Sequence, residues 1–130
     1  MAKNKTIKIL LVEDDTFLVE MYTTKFELEG FEVVAAEDGK KGLEMVTKEN
    51  PDIILLDILM PKMDGFAVLE ALKKDKATAN IPVILLTNLG QKDDVKRGFE
   101  MGADGYLIKA HFMPSEVVEK IKKILKEHQK

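Results

Sequence analysis

The chain contains no cysteine, which removes disulfide frameworks, thiolate metal sites and thiol nucleophiles in one step. It has no apolar run approaching the roughly 18 residues that a membrane-crossing helix needs. The stretch from Met1 to Thr6 is polar and lysine-bearing, with no signal-peptide core behind it. A cytoplasmic protein without membrane insertion is therefore expected. An excess of one charge is missing too: 20 Lys and Arg stand against 23 Asp and Glu, a net of -3, and the basic residues are dispersed except along one face near the C-terminus. No basic patch marks a phosphate-backbone surface, so direct nucleic-acid binding is not expected. Linkers, internal repeats and low-complexity tracts are also absent, and residues 1–130 read as one domain with no output domain attached.

What is present is an ordinary globular composition, 45% hydrophobic and 33% charged, long enough for one core. Short apolar runs recur between longer amphipathic ones: Ile7 to Val12, Phe31 to Ala36, Ile53 to Leu56, Val83 to Leu86 and Gly105 to Ile108. Four are nearly continuous in apolar residues, the pattern of parallel strands buried on both faces; the second carries Glu32 and suits an edge. The intervening segments have helix ends that can be read directly. Gly30 stops the first, Asp38 and Asp64 can cap the second and third, and Pro114 suits the first turn of the last. The pattern is α/β, a (βα)5 doubly wound parallel sheet with helices on both faces, in which ligands bind at the carboxyl ends of the strands.

The residues that follow each strand are then the informative ones. They are Glu13-Asp14-Asp15, Asp57, Thr87-Asn88 and Lys109, all carried to one edge. Any one of them is explained by the wetness of loops; the set is not. Several carboxylates at close quarters repel one another unless a hard divalent cation with oxygen ligands compensates, and Mg2+ fits that requirement. The charge of Lys109 and the hydroxyl of Thr87 suit the remaining oxygens of a phosphoryl group, which makes Asp57 a candidate nucleophile.

The segments LLVEDD, IILLDILMPKMDGF, PVILLTN and GADGYLIKA resemble the response-regulator receiver family of two-component signalling over nearly the whole chain. The resemblance implies the flavodoxin-like strand order 2-1-3-4-5. It implies phosphoryl acceptance on Asp57, from a sensor histidine kinase or histidine phosphotransfer protein, followed by a conformational switch read by a downstream protein target. Glu13 and Asp14 correspond to the acid pair that holds Mg2+ with Asp57, while Leu59 contributes its backbone carbonyl. Asp15, the third acid, instead begins the first helix. Thr87 corresponds to the switch hydroxyl, Tyr106 to the aromatic that turns inward with it, and Lys109 to the phosphate-binding lysine. The backbones of Leu59 and Asn88 face the phosphoryl oxygens. In this family the first helix docks the kinase, which points to Phe17, Leu18 and Met21. The face of the fourth helix, fifth strand and fifth helix often reads out the signal, which points to Lys92, Lys96 and Arg97.

Two other readings use the same residues. A receiver-like binding module that is never phosphorylated would keep the fold. A haloacid-dehalogenase-type phosphatase would need a second Asp two residues after Asp57, where this chain has Leu59; a nucleotide enzyme would need a glycine-rich loop where it has acids.

The chain also departs from the receiver pattern. Ala110 stands where the family places a proline in a cis peptide, so the Lys109-Ala110 bond is either strained or trans. Asn88 is larger than the usual small residue and is expected to narrow the approach to Asp57. Leu59 and Leu89 offer nothing to orient an attacking water, which predicts slow loss of the phosphoryl group. Met113 falls at an N-cap position without a side-chain oxygen. On the first helix, Leu18, Tyr22 and Phe26 form one apolar stripe and Phe17, Met21 and Leu28 a second, one of them core. On the last, Val117, Ile121, Ile124 and Leu125 face inward, with Glu116 to Lys120 and Glu119 to Lys123 as outward pairs. His111 and His128 have no evident mates.

Overall fold

Strands β1 (Lys8–Val12), β3 (Ile53–Leu56) and β4 (Val83–Thr87) occupy the middle of a five-stranded parallel sheet in the order β2-β1-β3-β4-β5. The computed structural model describes residues 6–128. The outer strands are β2 (Glu32–Ala36) and β5 (Gly105–Ile108). The expected strand order and the edge position of β2 are both found. Differences are at the ends: Ile7 and Phe31 precede their strands, and Thr87 is the last residue of β4 rather than the first after it.

The unbroken apolar runs of β1, β3 and β4 are explained by two cores. Leu10, Val12, Ile54, Leu56, Val83 and Leu85 pack on one face, with α2 (Gly39–Glu49) and α3 (Gly65–Lys74); Ile9, Leu11, Ile53, Leu55, Ile84 and Leu86 pack on the other, with α1 (Thr16–Leu28) and α5 (Pro114–His128). Alternate side chains of one strand leave opposite faces, so a strand covered on both sides needs apolar residues at every position. Helix α4 (Lys92–Glu100) lies on the α3 side, where Arg97 sits 4.1 Å above the ring of Phe66. That contact lays the guanidinium on α3 while Arg97 stays exposed.

Helix starts follow the capping residues. Asp15 accepts from the Phe17 and Leu18 amides, Asp38 from Lys41 and Asp64 from Ala67. Asp15 is thus the helix cap expected of it. Gly30, at φ +95, ends the α1 segment in the left-handed region where a glycine costs least. Met113 provides no side-chain cap, but Glu116 reaches back to accept from its amide at 2.7 Å, the second half of a capping box. Glu116 is therefore engaged at the helix start rather than in the expected pair with Lys120.

On α1, Tyr22 and Phe26 are core and stack at 5.7 Å, Leu18 and Met21 are half-buried, and Phe17 and Leu28 are exposed. On α5, Val117, Ile121 and Ile124 face inward as expected, and Val118 joins them, with Leu125 half-buried. His128 departs from expectation. Its ring nitrogens meet the Ile124 carbonyl at 3.2 Å and the Asp104 carboxylate at 3.4 Å, because the last turn of α5 passes beside the residue preceding β5. Among the described residues no helix is long and apolar enough to cross a membrane.

Candidate functional site

The sheet's hydrogen bonding runs one residue past the central strands. The Glu13 amide donates to the Ala36 carbonyl and the Asp57 amide to the Val12 carbonyl, both at 3.0 Å. Because Val12 pairs with Leu56, the next residues, Glu13 and Asp57, emerge side by side. Thr87 pairs with Ile108, so Asn88 and Lys109 emerge together on the neighbouring strands. Parallel register thus gathers four segments distant in sequence at one edge.

Asp57 is 5% exposed and fully engaged. Its Oδ1 accepts from the amides of Ile58 at 2.7 Å and Leu59 at 3.3 Å, and its Oδ2 from the Lys109 ammonium at 2.8 Å. The close approach of α3 holds this loop. A Cβ at Gly65 would fall 2.3 Å from the Asp57 carbonyl oxygen, and the Gly65 amide donates to the Ile58 carbonyl at 2.9 Å. Only glycine fits there, which gives Gly65 in the Asp64-Gly65 turn a packing reason.

Glu13 is as buried as the strands, at 2%. Its Oε1 lies 2.5 Å from the Lys109 ammonium, and its Oε2 accepts from the Asp15 amide. Burial pushes the Glu13 carboxyl above its ordinary value, against the opposing pull of Lys109 and the Asp15 amide. Burial alone would lower the Lys109 ammonium, but its hydrogen bonds to Asp57 and Glu13 outweigh this and hold it above the usual lysine range. Tyr22, read from sequence only as part of an apolar stripe, also feels this cluster. Its phenol is raised chiefly by burial, with Lys109 pulling against the rise and Glu13 and Asp57 adding to it.

Oxygens of Glu13, Asp14 and Asp57 lie within 4.8 Å of one another, with Asp14 exposed and the other two buried. Three hard oxygen donors at that spacing, one open to solvent, fit a cation that retains several waters, as Mg2+ does.

Thr87 is fully buried, and its Oγ1 accepts from the Leu89 amide at 3.3 Å. The Leu89 carbonyl in turn accepts from the Tyr106 hydroxyl. Both backbone groups of Leu89 thereby join Thr87 to Tyr106, a role that no side-chain pattern announces. Gly98 makes room for the ring: a Cβ there would lie 2.7 Å from Leu85 and 3.0 Å from the Tyr106 ring carbons. The Tyr106 phenol is pushed up to about 12, by burial first and then by Asp94 and Asp57.

Among the described residues there is no cis peptide, so the bond from Lys109 to Ala110 is trans. The lysine nonetheless reaches Asp57. Asn88 is exposed, and its Oδ1 accepts from the Ala110 amide at 3.1 Å. Of the expected docking residues, Phe17 is exposed at 70%, while Leu18 and Met21 pack on the α1 side of the core.

A buried aspartate beside a lysine, an acid pair and a hydroxyl on successive strand ends is what the sequence motifs describe. The sequence profile of the response regulator receiver domain matches residues 9–122. The chain belongs to the response-regulator receiver family. It is 40% identical over 119 residues to the DNA-binding dual master transcriptional regulator RpaA of Synechocystis sp., a match covering 92% of this chain and 49% of that protein. It is 36% identical to the phosphate regulon transcriptional regulatory protein PhoB of Pseudomonas aeruginosa, covering 91% and 51%. The receiver thus spans about half the length of these curated relatives. Among solved structures, the CheY-like receiver domain protein of Methanospirillum hungatei matches with a TM-score of 0.89 at 30% identity, covering 96% of this chain and 98% of the other. A response regulator from Chloroflexus aurantiacus matches at 0.87 and 34%, covering 94% and 99%.

Proposed function

We propose that this receiver accepts a phosphoryl group on Asp57 and passes the event on as a change of shape. The observation that carries the reading is the Lys109 ammonium held between two buried carboxylates, 2.8 Å from Asp57 and 2.5 Å from Glu13. A structural ion pair needs only one of those acids. A site that must later neutralise phosphoryl oxygens needs the cation, a nucleophile and a second acid together.

In the proposed step the donor is a phosphohistidine of a sensor kinase or phosphotransfer protein. Asp57 Oδ2 attacks phosphorus, the bond from phosphorus to the imidazole nitrogen breaks, and that nitrogen keeps the electron pair. The Ile58 and Leu59 amides hold Oδ1, so the carboxylate does not rotate during the attack. Lys109 then transfers its contact from Oδ2 to a phosphoryl oxygen, and the Leu59 and Asn88 backbones meet the others. Mg2+ held by Glu13, Asp14, Asp57 and the Leu59 carbonyl supplies neutralisation of the phosphoryl charge when bound.

The switch follows from the chain through Leu89. A phosphoryl oxygen that accepts from the Thr87 hydroxyl draws Oγ1 toward Asp57 and away from the Leu89 amide, and movement of Leu89 disturbs its bond to Tyr106. Each arrangement is stabilised by its own hydrogen bonds, so the phosphoryl group shifts a two-state equilibrium by its differential contacts. The downstream target is a protein that distinguishes the two arrangements. The transcriptional roles named for the relatives belong to those longer proteins.

Incubation with Mg2+ and a small acyl phosphate, followed by intact mass measurement, tests this. One added phosphoryl group, absent in Asp57→Asn, supports the reading. No gain at saturating Mg2+ refutes it in favour of a binding module, and catalytic release of phosphate refutes it in favour of a phosphatase.

A further inference from the structure

The two departures from the receiver pattern beside the site, Asn88 and Ala110, are bonded to each other. Asn88 Oδ1 accepts from the Ala110 amide at 3.1 Å, joining the loop after β4 to the short 3-10 turn Lys109–His111. Proline has no N–H, so this bond exists only because residue 110 is not proline. The turn is otherwise held by the contacts of Lys109 with Asp57 and Glu13 and by Phe112 packing against the core. Its start has no side-chain cap, and its closing bond, from the Phe112 amide to the Lys109 carbonyl, is 3.4 Å long. Yet Lys109 begins this turn, and a lysine carries rotamer entropy that must be overcome to hold its ammonium in one place. Its aim therefore depends on where the turn sits.

We propose that Asn88 is a positioning residue for Lys109, a latch from the residue after Thr87 to the residue after Lys109. The latch holds this trans turn in one place and so sets the direction from which the ammonium enters between Asp57 and Glu13. It also ties the strand end bearing the hydroxyl to the one bearing the cation, so both approach a phosphoryl group as one unit. This inference rests on the reading of Asp57 as the phosphoacceptor. An ammonium displaced by as little as 1 Å is enough to slow a transfer step.

The test compares Asn88→Ala, Ala110→Pro and the double variant with the wild-type chain. Phosphoryl uptake from an acyl phosphate is followed by intact mass across donor concentrations at saturating Mg2+. Hydrogen exchange of the Ala110 amide and of the Lys109 ammonium is followed by NMR without donor. Asn88→Ala is expected to lower the limiting rate about three- to tenfold, the range one hydrogen bond spans, while the half-saturating donor concentration stays within about twofold. Exchange at both Ala110 and Lys109 accelerates. In the Ala110→Pro background the same substitution has no further effect, and Asn88→Asp, which keeps an acceptor, retains slow exchange at Ala110. An unchanged limiting rate overturns the positioning role, as does an equal loss in both backgrounds. If Ala110→Pro does not fold, the rate and exchange of Asn88→Ala alone decide. If the wild-type chain takes up no phosphoryl group, the Asp57 reading fails, and unchanged Lys109 exchange in Asn88→Ala is then the result that overturns the latch.

Discussion

Replacing Lys109 with methionine removes the cation between Glu13 and Asp57 while leaving an apolar stem of similar length. At an effective dielectric constant near 20, the contacts at 2.8 and 2.5 Å correspond to about 6 and about 6.6 kcal/mol of attraction. The two carboxylates left behind, with oxygens within 4.8 Å, repel by about 3.5 kcal/mol on the same basis. Much of the lost attraction is offset because the lysine no longer has to be desolvated, so the net loss expected is about 3–5 kcal/mol at pH 7, the range for breaking a buried ion pair from one side. The loss depends on pH with a definite sign. Burial already raises Glu13 above 4.5, and without Lys109 one of the groups opposing that rise is gone. A carboxyl raised in the folded state stabilises fully below its unfolded value and loses that contribution as pH climbs through the folded value. The variant therefore recovers stability on acidification from pH 7 toward 4.5, more steeply than the wild type. Urea denaturation at pH 7 and pH 5 measures both quantities. At pH 7, millimolar Mg2+ is expected to restore part of the loss by binding the vacated acids. A loss below about 1 kcal/mol, with the same pH slope as wild type, would refute an ammonium that neutralises two buried acids.

Absorbance titration of the two tyrosines should find Tyr106 ionising at about 12, well above the ordinary 10, and that ionisation should shift downward when Phe99→Ala reduces its burial. Gly98→Ala places a Cβ 2.7 Å from Leu85 and 3.0 Å from Tyr106; despite the helix propensity gained, thermal unfolding should show a loss of about 1–3 kcal/mol, the usual cost of overpacking. Leu89→Glu offers a carboxylate beside the site, and mass measurement over time should show faster loss of the phosphoryl group than from the wild-type chain. Asp15→Ala deprives the Phe17 and Leu18 amides of their acceptor and should lower stability by about 0.5–2 kcal/mol in urea, without affecting Mg2+ binding.

The fold was legible because its signals are local and repeated. Continuous apolar runs at Ile53 to Leu56 and Val83 to Leu86 require cover on both faces, and acids or glycine punctuate the helices between them. The site residues were legible because strand ends in a parallel sheet share an edge, so Glu13, Asp57, Thr87 and Lys109 had to meet once the strands were placed. Backbone roles were not legible. Leu89 joins Thr87 to Tyr106 through its amide and carbonyl, groups that every non-proline residue carries. The contacts of Arg97 with Phe66 and of His128 with Asp104 were not legible because those partners are distant in sequence.

By itself the sequence determined the strand and helix order, the capping by Asp15, Asp38 and Asp64, and the set of polar residues delivered to one edge, because each depends on neighbours in the chain. The assembled sheet set the proton affinity of Glu13 and Lys109 and the aim of the lysine. Glu13 is raised because it is buried, Lys109 is held between two acids because parallel register brings β1, β3 and β5 together, and its trans turn is tied to Asn88 because Thr87 pairs with Ile108. Burial, distance and direction are properties of the assembled sheet, and no run of consecutive residues carries them.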